Sequence, residues 1–120
     1  MTDVVVTVPM RLWDEWLAEG DLPGEAWDGE AEYGAFEYGF YISRRPDIDP
    51  GDRVYIVAYG RLRGYAPLVR LERFNSEYVL VRAGGAVACT IASIIRGFQG
   101  WRYRWWEREQ EQPFPDWMRP

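Results

Sequence analysis

The sequence predicts a single, mostly β domain of the α+β class, on two observations. Six runs rich in β-branched and aromatic residues are separated by Gly and Pro, whereas one stretch alone, Pro9 to Gly20, has helical spacing. In addition, 120 residues with 48% hydrophobic and 17% aromatic content supply one full core. Divided between two domains, the same residues would leave neither half enough apolar surface to bury.

Taken in order, VVVTV (4–8) reads as a short buried strand. Pro9 then opens a helix through PMRLWDEWLAEG, with Met10, Trp13 and Leu17 on one apolar face and Gly20 as its stop. Asp21 to Glu37 has four Gly or Pro residues, many acids and little periodicity, and is expected to be an acidic loop. EYGFYIS follows as a strand. DPGD (49–52) is a tight turn in which Pro50 pre-sets its dihedral and Gly51 supplies positive φ. RVYIVAY alternates as a half-buried strand does, Gly60 turns the chain, and RLRGYAPLVRLER is a second extended run. Pro67 places that run at a sheet edge or at a bulge near Ala66. YVLVR and AVACTI are two more strands, with the intervening AGG read as a hairpin. In the segment 96–117, Gly97 and Gly100 favour a loop leading into a strand at WRYRWW. An extended WRYRWW would put Trp101, Tyr103 and Trp105 on one face and Arg102, Arg104 and Trp106 on the other, whereas a helical one would stack Trp101 on Trp105 at i+4. PFPDW is an extended tail held to the body by Phe114 and Trp117.

Composition narrows the chemistry further. The sequence has no His, and all 14 basic residues are Arg. Without His there is no Ser-His-Asp or Cys-His pair and no ordinary zinc or haem ligand set. Without Lys there is no Walker A phosphate loop and no Schiff base. Neither a metal site nor a cofactor is expected. The single Cys89, in an apolar run, cannot form an internal disulfide; it reads as a small core residue, which fits a reducing, cytoplasmic setting. Neither a signal peptide nor an apolar run of about 20 residues is present, so no membrane association is expected.

Charge is unevenly distributed. Residues 1–37 carry ten acids against Arg11; residues 38–105 carry eleven Arg against five acids; the remainder is acidic again, and the total is −5. A basic centre framed by acidic ends can hold a polyanion locally, or the two halves can neutralise each other across the fold.

A strand, a Gly-terminated helix, a variable loop and then DPGDRVYIVAYGRLRGYAPLVRLE (49–72) together resemble the PUA-like superfamily, particularly its ASCH and EVE branches. The resemblance spans roughly residues 4–92, with Asp49 to Glu72 its specific part. It implies a small, partly open PUA-like β-barrel flanked by one or two short helices, with a cleft between barrel and helix that accepts a nucleotide or modified base. ASCH domains typically carry Gly-x-Lys after the first helix, and some are amidohydrolases that use a Lys, a Thr and a Glu. Here Gly20 is followed by Asp21 and Leu22, so the catalytic Lys has no counterpart and a binding role is the one that carries over.

Two constellations are candidate binding residues, and no catalytic residue is assigned. Arg61, Arg63 and Tyr65 would share one strand face if pairing is regular; Arg forks onto phosphate or a base edge and Tyr stacks on a base. Otherwise they form a solvated face with cross-strand ion pairs. Arg96, Trp101, Arg102, Tyr103 and Trp105 interleave aromatic rings with Arg, as a platform for single-stranded or flipped bases does. The alternative is that these rings close the barrel end with guanidiniums stacked on them. Arg44 and Arg45 extend a basic rim or balance Asp47 and Asp49.

Three functions follow from this reading. The first is a non-catalytic module binding RNA, DNA or a modified nucleotide through an Arg and aromatic cleft. The second is a small carboxylate-dependent hydrolase, an amidohydrolase or ribonuclease of ASCH type. The third is a protein-interaction module in which the acidic first third, residues 1–37, mimics a nucleic-acid surface or docks on a basic protein partner through its loop, 21–37.

Overall fold

The protein is described by a computed structural model covering residues 2–14, 37–83 and 87–120. It is mostly β. Eight strands, β1 (Val4–Thr7), β2 (Glu37–Ile42), β3 (Arg53–Ala58), β4 (Arg61–Phe74), β5 (Glu77–Ala83), β6 (Val87–Thr90), β7 (Trp101–Tyr103) and β8 (Gln112–Pro113), form one curled half-barrel sheet. The main order is β2-β5-β4-β3-β1-β7, with β6 beside β4 and β8 beside β6.

The N-terminal strand lies in the interior of this sheet. β1 runs parallel to β3, with Val4 opposite Val54, and antiparallel to β7, with Val6 opposite Trp101. Its valines therefore point alternately into two cores. Val4 and Val6 join Val54, Ile56, Leu68, Leu80, Trp101 and Trp117 in one, while Val5 joins Tyr55, Val57, Leu62, Ile95 and Trp106 in the other. The expectation of a half-buried β3 is corrected by this arrangement: its five residues Val54 to Ala58 are all buried, because the sheet is covered on both faces.

β3 and β4 are joined by Tyr59 and Gly60, at φ of 50° and 73°, the left-handed pair that a two-residue hairpin turn demands. Preceding β3, the DPGD turn forms as expected, with Gly51 at φ 92° and the Asp52 amide donating to the Asp49 carbonyl at 3.0 Å. Leu68 accepts from Gly51 at 2.9 Å and donates to Asp52 at 2.8 Å, so both its backbone groups face the turn. By alternation Pro67 faces the other way, toward the gap between Arg82 opposite Leu68 and Val87 opposite Tyr65. Its missing N–H therefore falls where the ladder is already interrupted. Pro67 thus sits within a central strand rather than at an edge, and the expected bulge lies just beyond it, between Leu68 and Arg70.

Two further expectations are corrected. AGG does not close a β5–β6 hairpin: β5 pairs with β2 and β4, β6 with β4 and β8, and both run antiparallel to the long β4. In place of the first turn of the expected helix, Met10–Leu12 form a 3-10 turn after Pro9. Met10 is exposed and Trp13 buried, so the predicted Met10–Trp13 face does not hold. The rest of that helix and nearly all of the acidic loop lie outside the described residues. Among the described residues, the helical elements are the two 3-10 turns and Trp13–Asp14, which follow the first of them in α-helical conformation, and no helix is long and apolar enough to cross a membrane. The tail is pinned as expected, with Trp117 buried and Phe114 packed on the same core.

β6 approaches β4 so closely that a Cβ on Gly64 would lie 2.5 Å from the Val87 carbonyl oxygen. Backbone cannot yield as a flexible side chain does. Gly64→Ala is therefore expected to destabilise the fold by about 2 kcal/mol, the cost of overpacking a close strand contact, as read from the urea midpoint with an unchanged m-value.

Candidate functional site

A groove opens where β1 and the 3-10 turn meet β2 and the segment 97–100. Its larger part, about 640 Å³, is lined by Val6, Arg11, Phe40, Tyr41, Phe98 and Gln99 among others. A smaller recess of about 170 Å³ continues it past Gln99 and Gly100 to Ser43, Arg44 and Trp101. The close approach of its walls depends on Gly97, where a Cβ would meet Thr7 at 3.3 Å, and on the β2 side a Cβ on Gly39 would meet Val79 of the neighbouring β5 at 3.0 Å. The Phe98 amide donates to the Thr7 hydroxyl at 3.2 Å and fixes this wall to β1.

The charge of the groove is one-signed. Arg11 and Arg44 stand in its two parts, and no described Asp or Glu lines either. The Arg102 guanidinium stacks 4.4 Å above Phe98 and adds a third cation at the rim. Trp105, half exposed, meets the same Phe98 edge-on at 6.5 Å. Phe98 thus belongs both to the groove and to an exposed Arg and aromatic patch beside it.

The eight residues singled out from the sequence are divided by the structure. β4 carries a register shift opposite Ile56 and Val57, so pairing is not regular and Arg61, Arg63 and Tyr65 do not share a face. Tyr65 packs on the core of Tyr55 and Trp106, while Arg61 and Arg63 flank Phe114 at 5.0 and 5.2 Å. Arg63 is buried, donating to the carbonyls of Ala58 (2.7 Å), Tyr59 (3.3 Å), Trp117 (3.2 Å) and Arg119 (2.6 Å). Burial pushes its pKa down. It clamps the C-terminal tail to the β3–β4 turn and is not presented to a ligand. Arg61 reaches Thr90 at 3.3 Å.

In the second constellation, Trp101 is buried. Its Nε1 donates to the Arg44 carbonyl at 2.7 Å, and the Arg44 guanidinium covers its ring at 4.2 Å. Tyr103 sits edge-on to Trp101 at 4.7 Å and accepts from the Asp47 amide at 2.9 Å. Because β7 ends at Tyr103, Trp105 leaves that face and joins Arg102 and Phe98 instead. Arg96, Arg102 and Trp105 remain exposed. Of the two outcomes foreseen for these rings, Trp101 takes the barrel-closing one, with a guanidinium stacked on it, and Trp105 stays at the surface.

Beside the platform lies a buried ion cluster that sequence reading missed. Asp3 is buried, and its carboxylate accepts from the Arg53 amide (2.9 Å), Arg104 Nε (3.0 Å) and Arg108 (2.9 Å). Burial acts to raise its pKa, but these hydrogen bonds outweigh it and hold the carboxyl below its usual value. Glu111 is equally committed, accepting from Arg53 (3.1 Å), the Tyr55 hydroxyl (2.6 Å) and Trp106 Nε1 (2.9 Å). Burial, reinforced by Glu111, raises the Tyr55 pKa well above its usual value. The Asp3–Arg108 pair spans 105 positions and Tyr55–Glu111 spans 56, and no local pattern signals such partners. Among the described residues no group of acids, Cys or His is gathered as a metal site would require.

Comparison with protein-family models, with curated proteins and with solved structures finds no match for this chain.

Removing the Asp3 charge leaves two guanidiniums without their carboxylate. Asp3→Asn is therefore expected to cost about 3 kcal/mol or more in urea unfolding at pH 7. A carboxyl whose folded pKa is depressed contributes stability that is complete above the unfolded value, near 3.8, and is lost as pH falls through the lower folded value. Wild-type stability should therefore decline on acidification below about pH 4, and Asp3→Asn should decline less over the same range.

Proposed function

We propose that the protein is a non-catalytic module that binds single-stranded nucleic acid or a nucleotide, using the groove for one base and the adjoining Arg and aromatic patch for its neighbours. The observation that carries this reading is the sign of the groove: Arg11 and Arg44 within it, Arg102 on its rim, and no described carboxylate in its lining. A lining of one sign attracts phosphates locally whatever the net charge of −5. Phe98, the exposed Tyr41 and Trp105 supply ring faces and edges at the same place. Stacking on such rings contributes about 1 to 3 kcal/mol per base without demanding a sequence. The groove lies beside the segment that follows β1, where the PUA-like resemblance expects its cleft.

Without His or Lys, a hydrolase of the carboxylate-dependent kind needs an Asp or Glu able to take or give a proton. Among the described residues, the buried Asp3 and the partly buried Glu111 are engaged by donors and lie outside the groove, and no carboxylate lines it, which favours binding there over turnover.

Among the described residues Trp105 is the exposed Trp, Trp13, Trp101, Trp106 and Trp117 being buried, and a parallel titration of Trp105→Phe separates its emission from that of the other Trp residues. Short single-stranded RNA or DNA should quench its emission saturably, and more weakly as salt rises. Arg102→Ala and Arg11→Ala should each weaken binding at low salt and each reduce the salt slope by about one, without lowering thermal stability. Saturable quenching that is absent for RNA, DNA and nucleotides alike, or that survives both substitutions together, would rule the reading out.

A further inference from the structure

A second cavity, of about 360 Å³, opens at β6 and β8 and is lined by Arg53, Tyr65, Val87, Ala88, Cys89, Arg108, Glu111, Gln112 and Pro113. It shares no lining residue with the groove. One wall is apolar, made by Val87, Ala88, Cys89 and Pro113; the other is polar and held rigidly.

Arg53 dominates the polar wall. Its NH1 is fixed by Tyr55 at 3.0 Å and Glu111 at 3.1 Å, and its guanidinium carbon lies over the Tyr65 ring, 4.0 Å from the centroid. Burial works against its charge, but the Tyr55 hydroxyl, Tyr65 and Glu111 raise its pKa. Its Nε and second amino nitrogen make no hydrogen bond among the described residues, and neither does the Tyr65 hydroxyl. Two neighbouring donor groups are thus oriented and uncommitted in a cavity.

The sign of the site follows from a charge count over its lining and the cluster behind it. Arg53, Arg104 and Arg108 face Asp3 and Glu111, three cations against two carboxylates. Glu111 lines the cavity, yet both its oxygens are already taken by Arg53, Tyr55 and Trp106. Of the charged residues that line the cavity, two are guanidiniums, Arg53 and Arg108, and one is a carboxylate already engaged by donors, so its lining is on balance positive.

We propose that this cavity is a binding site for a small organic carboxylate. The single negative charge matches the positive lining, the planar carboxylate matches the open edge of Arg53 and the Tyr65 hydroxyl, and the ligand's apolar body lies on Val87, Ala88, Cys89 and Pro113. Cys89 acts there as wall rather than nucleophile, because burial pushes its thiol up to about 12.

Calorimetric titration at constant ionic strength with butyrate and benzoate, against butyramide, benzamide and inorganic phosphate, tests the site. Saturable binding of at least one carboxylate is expected, with none for the matching amide. Tyr65→Phe keeps the ring under Arg53 and removes its hydroxyl; it should weaken binding about fivefold, the loss of one hydrogen bond. Val87→Phe should abolish binding by filling the cavity, and Arg102→Ala in the nucleic-acid patch should leave it unchanged. If Val87→Phe does not fold, Tyr65→Phe alone decides. The proposal fails if neither carboxylate binds up to about 10 mM, if the amides or phosphate bind as well as the carboxylates, or if Tyr65→Phe binds like the wild type. None of these results bears on the groove.

Discussion

The buried carboxylate of Asp3 is the contact on which the rest of the molecule depends. One side chain receives the Arg53 amide at the start of β3 and two guanidiniums from the segment after β7, while its own carbonyl accepts from the Arg104 amide at 3.0 Å. It therefore sets the register on both sides of β1 at once. A buried ion pair adds little net stability over an apolar contact of the same shape, but a wrong register would strand a charge in the interior. That penalty selects one alignment among the several that a run of valines would tolerate.

Arg does in this chain what Lys could not. Arg63 spreads its donors over four carbonyls, Arg53 is shared between Glu111, Tyr55 and a Tyr ring, and Arg44 covers a Trp whose indole it also anchors through its own carbonyl. Each use needs a planar, multidentate cation that stays charged when partly buried. Much of the central positive charge visible in the sequence is therefore structural, and what remains for a ligand is the smaller set facing the groove and the β6–β8 cavity.

The strands were legible because their cause is local. Alternating β-branched residues, the DPGD turn and the Gly60 turn reproduce β1 to β4 and their boundaries to within a residue or two. Contacts between distant segments were not. Nothing near RLRGY announces that β4 gains a residue opposite Val57, and that one insertion separates Tyr65 from Arg61 and Arg63. AGG resembles a hairpin, yet the length of β4 allows two strands to line up along it. In the C-terminal segment the interleaving of rings and Arg was plain, but whether each ring is buried depends on where β7 stops. Phe98, Arg11 and Phe40 carried no signal of their own; they matter because β1, β2 and residues 97–100 converge.

The interior position of β1 also bears on how the chain comes to be folded. Its two strand neighbours lie about 50 and 100 positions further along, so a nascent chain emerging from a ribosome exposes a run of valines long before either neighbour exists. Closing contacts of that span is entropically slow. The pairing of β1 is therefore complete only once the segment that carries β7 has been made.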